Sequence, residues 1–274
     1  MATITSDSIT EIYYGWLDTL RYCPILESRV GATRENIFAI SVLLNPYSRL
    51  IQDSHRKHSI EYLKGEWLWY MQKTTNIDFI KKYSKFWGTI ADASGNVYSN
   101  YGNTLFRNIN GKSQMQHIIY ELRQHPESRR AIALYNYDSA YARMHDGADF
   151  PCTVMSHFMV RDNRLNQIVY IRSNDLIYGW SNDMAFYTMI QEMIGVKLGV
   201  PLGTLTEVAG SLHIYEKHFN LLNEKHEYPI NTIKEQPFPR MVDADVDYFF
   251  ELTESNRDEL KKPDTDFMRF VCEQ

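Results

Sequence analysis

The stretch Pro151-Cys152-Thr153-Val154-Met155-Ser156-His157-Phe158-Met159-Val160-Arg161-Asp162-Asn163-Arg164-Leu165-Asn166-Gln167-Ile168-Val169-Tyr170-Ile171-Arg172-Ser173-Asn174-Asp175 reads as two strands, 152–161 and 165–172, joined by Asp162-Asn163-Arg164, a hairpin signal. The clearest helix of the chain follows at 182–199, where Ala185, Met189, Met193 and Val196 lie near one face and Phe186, Ile190 and Ile194 widen it. A further strand is expected within 204–215 and a short helix at 216–223. Upstream, apolar spacing predicts helices at 8–22, 55–72, 76–84 and 113–124 and strands at 36–44 and 130–136, with a turn at Ala93-Ser94-Gly95-Asn96. The last forty or so residues are polar, carry Pro237, Pro239 and Pro263, and predict little regular structure. Helices interleaved with strands and hairpins indicate an α/β (α+β) fold with a mixed sheet. With 274 residues and neither repeat nor linker, a single domain over 1–274 is expected.

Composition narrows the function. A net charge of −5 comes with no basic tail or Lys/Arg block, so the phosphate neutralisation that duplex binding needs is missing and no nucleic-acid partner is expected. Basic residues occur in small groups, His55-Arg56-Lys57 and Arg129-Arg130, which suits a grip on a small anion. Cys23, Cys152 and Cys272 are widely spaced, which argues against a disulfide framework, and no spacing resembles a metal site. With no signal-peptide pattern and no apolar run that could span a bilayer, a cytoplasmic, reduced protein without a membrane partner is expected.

Several residues carry possible chemistry. Cys152 follows Pro151 and stands one hairpin ahead of Arg172, a cation able to lower a thiol pKa and to bind an anion. A lone cysteine is more often a small buried hydrophobe. Arg29, Arg129, Arg130 and Arg172 sit at element edges, where guanidinium forks suit phosphate, although four surface arginines are commonplace; Ser173 adds a hydroxyl donor. Glu66 interrupts the apolar helix Gly65-Glu66-Trp67-Leu68-Trp69-Tyr70-Met71, either at a wet edge or buried and functional. Asp175 and Asp183 flank the loop 176–182, and Asp183 also suits a helix cap. His213 and Tyr215, two apart on a strand, share a face and could reach sugar hydroxyls or form a half-buried structural pair.

Together these segments resemble the thymidylate synthase family, from about residue 10 to about residue 225. Arg29-Val30-Gly31 is similar to its phosphate-loop arginine, and Glu66-Trp67-Leu68-Trp69-Tyr70, followed by Thr75-Asn76-Ile77, to its catalytic-glutamate helix. Trp87 resembles the tryptophan beside the folate, Tyr101-Gly102 the Tyr-Gly that follows, and Ser128-Arg129-Arg130 the arginine pair lent across a homodimer interface. Pro151-Cys152 resembles the nucleophile, although Thr153 stands where synthases usually have His. Arg172-Ser173-Asn174-Asp175 and Gly179 resemble the nucleotide and folate contacts, and His213-Ile214-Tyr215 the sugar-binding pair.

The resemblance therefore implies Cys152, Glu66, Asp175 and Tyr101 as catalytic residues. It implies Arg29, Arg129, Arg130, Arg172, Ser173, Asp183, His213 and Tyr215 as nucleotide contacts, and Trp87, Asp175 and Gly179 beside 5,10-methylenetetrahydrofolate, with no metal.

Asp183 departs from the asparagine of the synthases. Cytosine offers N3 as acceptor and an N4 amino donor, so a neutral carboxylic acid, or a carboxylate facing a protonated N3, complements it. An ionised Asp183 would face uracil O4 with no proton between them, at about 1–3 kcal/mol per unmatched group. Aspartate here resembles the deoxycytidylate hydroxymethylase branch and implies hydroxymethylation of dCMP. Ser211, where synthases usually have Asp, is a second departure, with no chemical reading. The ending Phe270-Val271-Cys272-Glu273-Gln274 does not resemble the apolar closing tail of the synthases, which suits admission of water. The alternatives are a thymidylate synthase acting on dUMP, a dCMP methylase or CMP hydroxymethylase, and a catalytically silent nucleotide- or RNA-binding relative. Cys152, Glu66 and Arg172 and the acidic net charge argue against the last.

Overall fold

The computed structural model describes residues 2–53, 58–108, 110–135, 149–224 and 238–272. Its frame is an eight-stranded mixed sheet of β1 (Ala2–Ser6), β2 (Ile25–Ser28), β3 (Gly31–Leu43), β4 (Ile132–Leu134), β5 (Thr153–Arg161), β6 (Arg164–Ile171), β7 (Asn174–Asp175) and β8 (Leu202–Tyr215). The order is β1-β3-β8-β6-β5-β4, with β2 on β3 and β7 on β8. β1 runs parallel to β3, and β6 and β7 run parallel to β8; the other pairs are antiparallel.

The helices are α1 (Ile9–Arg21), α2 (Ile60–Met71), α3 (Phe86–Ile90), α4 (Tyr101–Phe106), α5 (Gln114–Gln124), α6 (Trp180–Leu198), α7 (Asp243–Glu251) and α8 (Asp266–Cys272). Every residue of α6 from Met184 to Gly195 is buried. A helix that is apolar on nearly all sides needs neighbours all round, and α6 has β6, β8, α2, α5 and α7. None of the described helices is long and apolar enough to cross a membrane.

The central hairpin turns more tightly than the sequence suggests. Arg164 pairs with Arg161, so the loop is only Asp162 and Asn163, both at positive φ (50° and 55°), as a two-residue primed turn requires. The helix expected at 182–199 begins earlier, at Trp180. Asp183 therefore lies inside its first turn, donating its N–H to Gly179 O at 2.9 Å, and is not the cap. The helix expected at 76–84 is replaced by a 3₁₀ turn at Ile80–Lys82 and by α3. The Asn76 side chain takes the Asp78 N–H at 2.7 Å, a local bond that competes with the helix. α2 starts at Ile60, capped by Ser59, whose hydroxyl accepts from Tyr62 N at 3.1 Å; residues 55–57, His55-Arg56-Lys57 among them, lie outside the described residues. The strand expected at 130–136 narrows to β4, and its residue 136 also lies outside them.

The segment 216–223 is 3₁₀ rather than α. The polar C-terminal region contains α7 and α8, with Phe249, Phe267, Met268 and Val271 buried; Pro237, Glu273 and Gln274 lie outside the described residues. β1, β2, β7, α3 and α4 form where the sequence pattern predicts no regular element.

Candidate active site

Six elements, β5, β6, α2, α4, α6 and β8, bring the chemistry together. β5 opens just after Cys152, and the β6 end supplies Arg172, whose backbone N–H donates to Cys152 O at 2.9 Å. The Arg172 guanidinium donates to the carbonyls of Pro151 (3.1 Å) and Phe150 (2.8 Å) and lies over the Phe150 ring. Its remaining donors are on an exposed side chain, free to meet an anion. The expected lowering of the Cys152 pKa by Arg172 is present but does not win. Burial pushes the thiol up first, Arg172 opposes it, and Asp183 and Asp149 add to the rise. In the free protein Cys152 is therefore a thiol.

α2 supplies Glu66, only 6% exposed, and Tyr62 one helical turn before it. Tyr62 OH donates to Glu66 Oε1 at 2.6 Å, and Tyr70 OH does so at 3.3 Å. Trp87 Nε1 donates to the Tyr62 oxygen at 3.2 Å, so Trp87, Tyr62 and Glu66 form a chain of hydrogen bonds. Burial raises Glu66 to about 7 against the pull of both phenols. A carboxyl poised there can give or take a proton near neutral pH. The buried reading of Glu66 thus prevails over the wet-edge one.

Tyr101, at the start of α4, accepts the Thr153 N–H at 3.2 Å beside Cys152 and stacks on Tyr70, ring centroids 5.6 Å apart. Burial, then the neighbouring Cys152, holds its phenol well above the ordinary range. On α6, burial, then Glu66, then Glu207 drive Asp183 well above the usual carboxylate range, while hydrogen bonding to Asn174 opposes the rise. Burial and both neighbouring carboxyls thus favour the protonated form of Asp183.

β8 carries His213 and Tyr215 on one face, their rings edge to face at 4.9 Å. Burial lowers the His213 pKa, opposed by Asp175 and Glu35. Tyr215 is raised by burial, then by Asp175 and Cys152, and is lowered by Arg29, which places the exposed hairpin-tip arginine within electrostatic reach of the same group. Asp175 accepts from Ile177 N at 2.9 Å, and Ser173 is half-buried beside Arg172. Gly179 packs so closely on Asn174 that an added Cβ would lie 2.4 Å from Asn174 Oδ1.

Arg129 and Arg130 are exposed on the approach to β4, Arg130 with 82% of its side chain accessible and its Nε 3.3 Å from Glu121; neither has a contact with Cys152 in its own chain. Among the described residues no group of three or more His, Cys, Asp or Glu could hold a metal ion.

Sequence reasoning passed over Tyr62, Asp149 and Glu207. The i, i+4 spacing of Tyr62 and Glu66 was a legible signal. So was Glu207, which shares its strand face with the fully buried Leu205 and Ala209.

The family model described as thymidylate synthase matches residues 32–255. The deoxycytidylate 5-hydroxymethyltransferase of Enterobacteria phage T6 is 33% identical to this chain over 173 residues, 60% of this chain and 70% of that protein. The protein of the same name from Enterobacteria phage T4 is 32% identical over the same shares. Among solved structures, the thermostable thymidylate synthase A from Bacillus subtilis superposes with a TM-score of 0.64 at 21% identity, covering 81% of this chain and 86% of that one, a likeness of fold.

Proposed function

Because the chain belongs to the thymidylate synthase family, we propose that it is an enzyme that transfers a one-carbon unit from 5,10-methylenetetrahydrofolate to C5 of dCMP and hydrates it to 5-hydroxymethyl-dCMP. The observation that bears on the choice of base is a buried carboxyl at position 183, which burial, Glu66 and Glu207 push toward its protonated form and which can then serve cytosine as both donor and acceptor. A protonated carboxyl donates to cytosine N3 and accepts from the N4 amino group, which is the first of the two pairings open to an aspartate here. The names of the phage relatives support the same substrate and product.

In this reading the Cys152 thiol loses its proton as the nucleotide binds, and Sγ adds to C6, which makes C5 nucleophilic. Methylenetetrahydrofolate, when bound, supplies the one-carbon unit that C5 takes up. Glu66, near 7, moves protons and orients water at the C5 side, steadied by Tyr62 and Tyr70, and Tyr101 stands beside the nucleophile. Expulsion of Cys152 restores the ring. Arg29, Arg172 and Ser173 hold the phosphate, and His213 and Tyr215 the sugar. Trp87, the acidic acceptor Asp175 and the bare backbone of Gly179 form a set that suits a planar ring bearing N–H donors.

The described residues share one sheet and one buried core, which supports a single domain over 1–274. The sheet face away from the helices supports a homodimer. Ile132, His157 and Ile168 form one row across β4, β5 and β6, and Leu134, Met155 and Tyr170 the next. Ile132, Leu134, Ile168 and Tyr170 are exposed, as are Ile37 and Phe38 on β3. Exposed apolar side chains in neighbouring rows of β4 and β6 suit an interface. Arg129 and Arg130 stand beside it, exposed, which supports their being lent to a partner's phosphate site.

The test is to incubate the protein with methylenetetrahydrofolate and, in separate reactions, dCMP, CMP and dUMP, and to identify products by mass spectrometry. Hydroxymethylated dCMP is expected. Methylated dUMP would sink this reading in favour of a synthase, and turnover of none of the three would favour a silent relative.

A further inference from the structure

The two hydrogen bonds that Glu66 accepts both fall on the same oxygen. Oε1 accepts from Tyr62 OH at 2.6 Å and from Tyr70 OH at 3.3 Å, and among the described residues Oε2 has no hydrogen-bond partner. Trp87 Nε1 meets the Tyr62 oxygen at 3.2 Å. An indole nitrogen only donates, so the Tyr62 oxygen accepts there and must turn its own proton to Glu66. Trp87 is itself held in place. Its ring packs on Trp69 with 4.7 Å between centroids, and Trp69 Nε1 donates to Asn76 O at 2.8 Å.

The direction of these bonds decides where Glu66 keeps its proton. Among the described residues neither phenol has another acceptor. A proton on Oε1 would point at two groups that are already donating, and would leave their protons unmatched inside the protein. Neutral Glu66 therefore carries its proton on Oε2, and Oε1 is the carbonyl oxygen. When the carboxyl is charged, the same two bonds still hold Oε1. In both states the oxygen left to exchange a proton is Oε2. Tyr62 keeps its own proton throughout, because burial, then the charge of Glu66, hold its phenol well above the ordinary range.

We propose that Tyr62 is a positioning residue for proton transfer, which locks Oε1 of Glu66 and so makes Oε2 the oxygen that gives and takes the proton at the C5 side. The proposal rests on the reading of Glu66 as the proton-moving group. Tyr62 acts through Glu66, and Trp87 fixes the direction of its hydroxyl, so the indole and the carboxyl are tied through one phenol. The titratable groups around Glu66 are Tyr62 and Tyr70 on α2 and Asp183 on α6, with Tyr101 on α4 bearing on Tyr70. α8 and the 3₁₀ turn at Ile80–Lys82 also pack on α2, and among the described residues no charge from either shifts Glu66.

The experiment follows the C=O band of protonated Glu66 by infrared difference spectroscopy across pH, in the wild type and in Tyr62→Phe, and assigns the band by its loss in Glu66→Gln. Melting temperature, kcat and nucleotide KM are measured over the same pH range. In the wild type the band is expected at the low frequency of a carbonyl that accepts hydrogen bonds, and in Tyr62→Phe at a higher one. A donor to the charged form is lost in that variant, so the titration of the band moves to higher pH. Stability is lost as pH rises through the folded-state pKa of Glu66, so the fall in Tm extends to higher pH as well. At neutral pH kcat is expected to drop by about tenfold, with nucleotide KM within about twofold of the wild type. A merely structural role for Tyr62 would lower Tm equally at every pH and leave the band and its titration unmoved, and that result overturns the proposal. If Tyr62→Phe does not fold, a wild-type band at the frequency of a carbonyl free of hydrogen bonds overturns it instead. Turnover of no nucleotide by the wild type would count against the proposed function alone, because the band and the melting curves report on Glu66 without substrate.

Discussion

The backbone N–H of Arg172 donates to the carbonyl of Cys152 at 2.9 Å, so the proposed anion grip and the proposed nucleophile are joined across the open end of the β5–β6 hairpin. Among the described residues Arg172 is the group that pulls the Cys152 pKa down, against burial, Asp183 and Asp149. Arg172→Gln is therefore expected to raise the thiol pKa further and to slow alkylation by iodoacetamide at neutral pH. The pH–rate profile of alkylation checks this, and a profile identical to the wild type would remove Arg172 from thiol activation. Nucleotide KM should rise in the same variant, because one phosphate-facing fork is lost.

Glu66 leaves a signature in stability as well as in rate. Its folded-state pKa is raised from 4.5 to about 7 by burial. Between those values the folded protein holds a proton that the unfolded chain has released, so stability falls as pH rises from about 4.5 to about 7 and levels off above. The effect is on the order of 1–3 kcal/mol. Glu66→Gln should flatten this slope, visible as a smaller drop in Tm between about pH 5 and about pH 7.5. Turnover should fall by about 10²–10⁴ with little change in nucleotide affinity, as for loss of a proton-transfer group.

Asp183→Asn replaces a group that carries one mobile proton with an amide whose donor and acceptor are fixed. The amide complements uracil, and kcat/KM should move from dCMP toward dUMP by about tenfold or more. Competition between the two nucleotides in one reaction, resolved by mass spectrometry, measures the ratio directly. A ratio equal to the wild type would mean that Asp183 does not read the base.

How much of this was legible in the chain depends on the range of the interaction. The hairpin around Asp162-Asn163, the α6 helix and the His213/Tyr215 pair follow from local periodicity and turn chemistry, and they stand close to where the pattern puts them. The 76–84 segment misled because one side-chain bond, Asn76 to Asp78 N, outweighed a weak helical pattern. The short strand β2 was invisible because its residues are all exposed and show no alternation. In the site, residue types were readable but protonation was not. Whether Cys152 is thiol or thiolate depends on burial and on Arg172, Asp183 and Asp149, and whether Asp183 is acid or anion on burial and on charges brought from α2 and β8, which no local window contains.

Gly102 tests the packing that holds Tyr101 in place. A Cβ at 102 would lie 1.7 Å from the carbonyl oxygen of Tyr70, on the backbone of the helix that bears Glu66. Backbone cannot yield as a side-chain tip can, so Gly102→Ala should cost more than about 3 kcal/mol or prevent folding. Gly88, on α3, has open space where its Cβ would go, and Gly88→Ala should be neutral or slightly stabilising through helix propensity. Equal melting temperatures for the two variants would contradict the observed packing.

Arg129 and Arg130 provide the sharpest test of assembly, because in their own chain they point to solvent beside an exposed apolar face. If a partner subunit supplies them to the phosphate site, Arg129→Ala/Arg130→Ala should be strongly impaired, with a raised nucleotide KM. Cys152→Ala should be inactive. Mixing the two inactive proteins after subunit exchange then creates a heterodimer with one intact site, built from Cys152 of one chain and both arginines of the other. With random exchange about half the dimers are hybrids and each has one of its two sites restored, so about a quarter of wild-type activity should return. Arginines acting within their own chain predict no recovery at all, since every site would then carry a defect. Native mass spectrometry of the mixture, which resolves the hybrid from both parental dimers, confirms that exchange has occurred, so that a lack of recovery counts against the shared site and not against mixing.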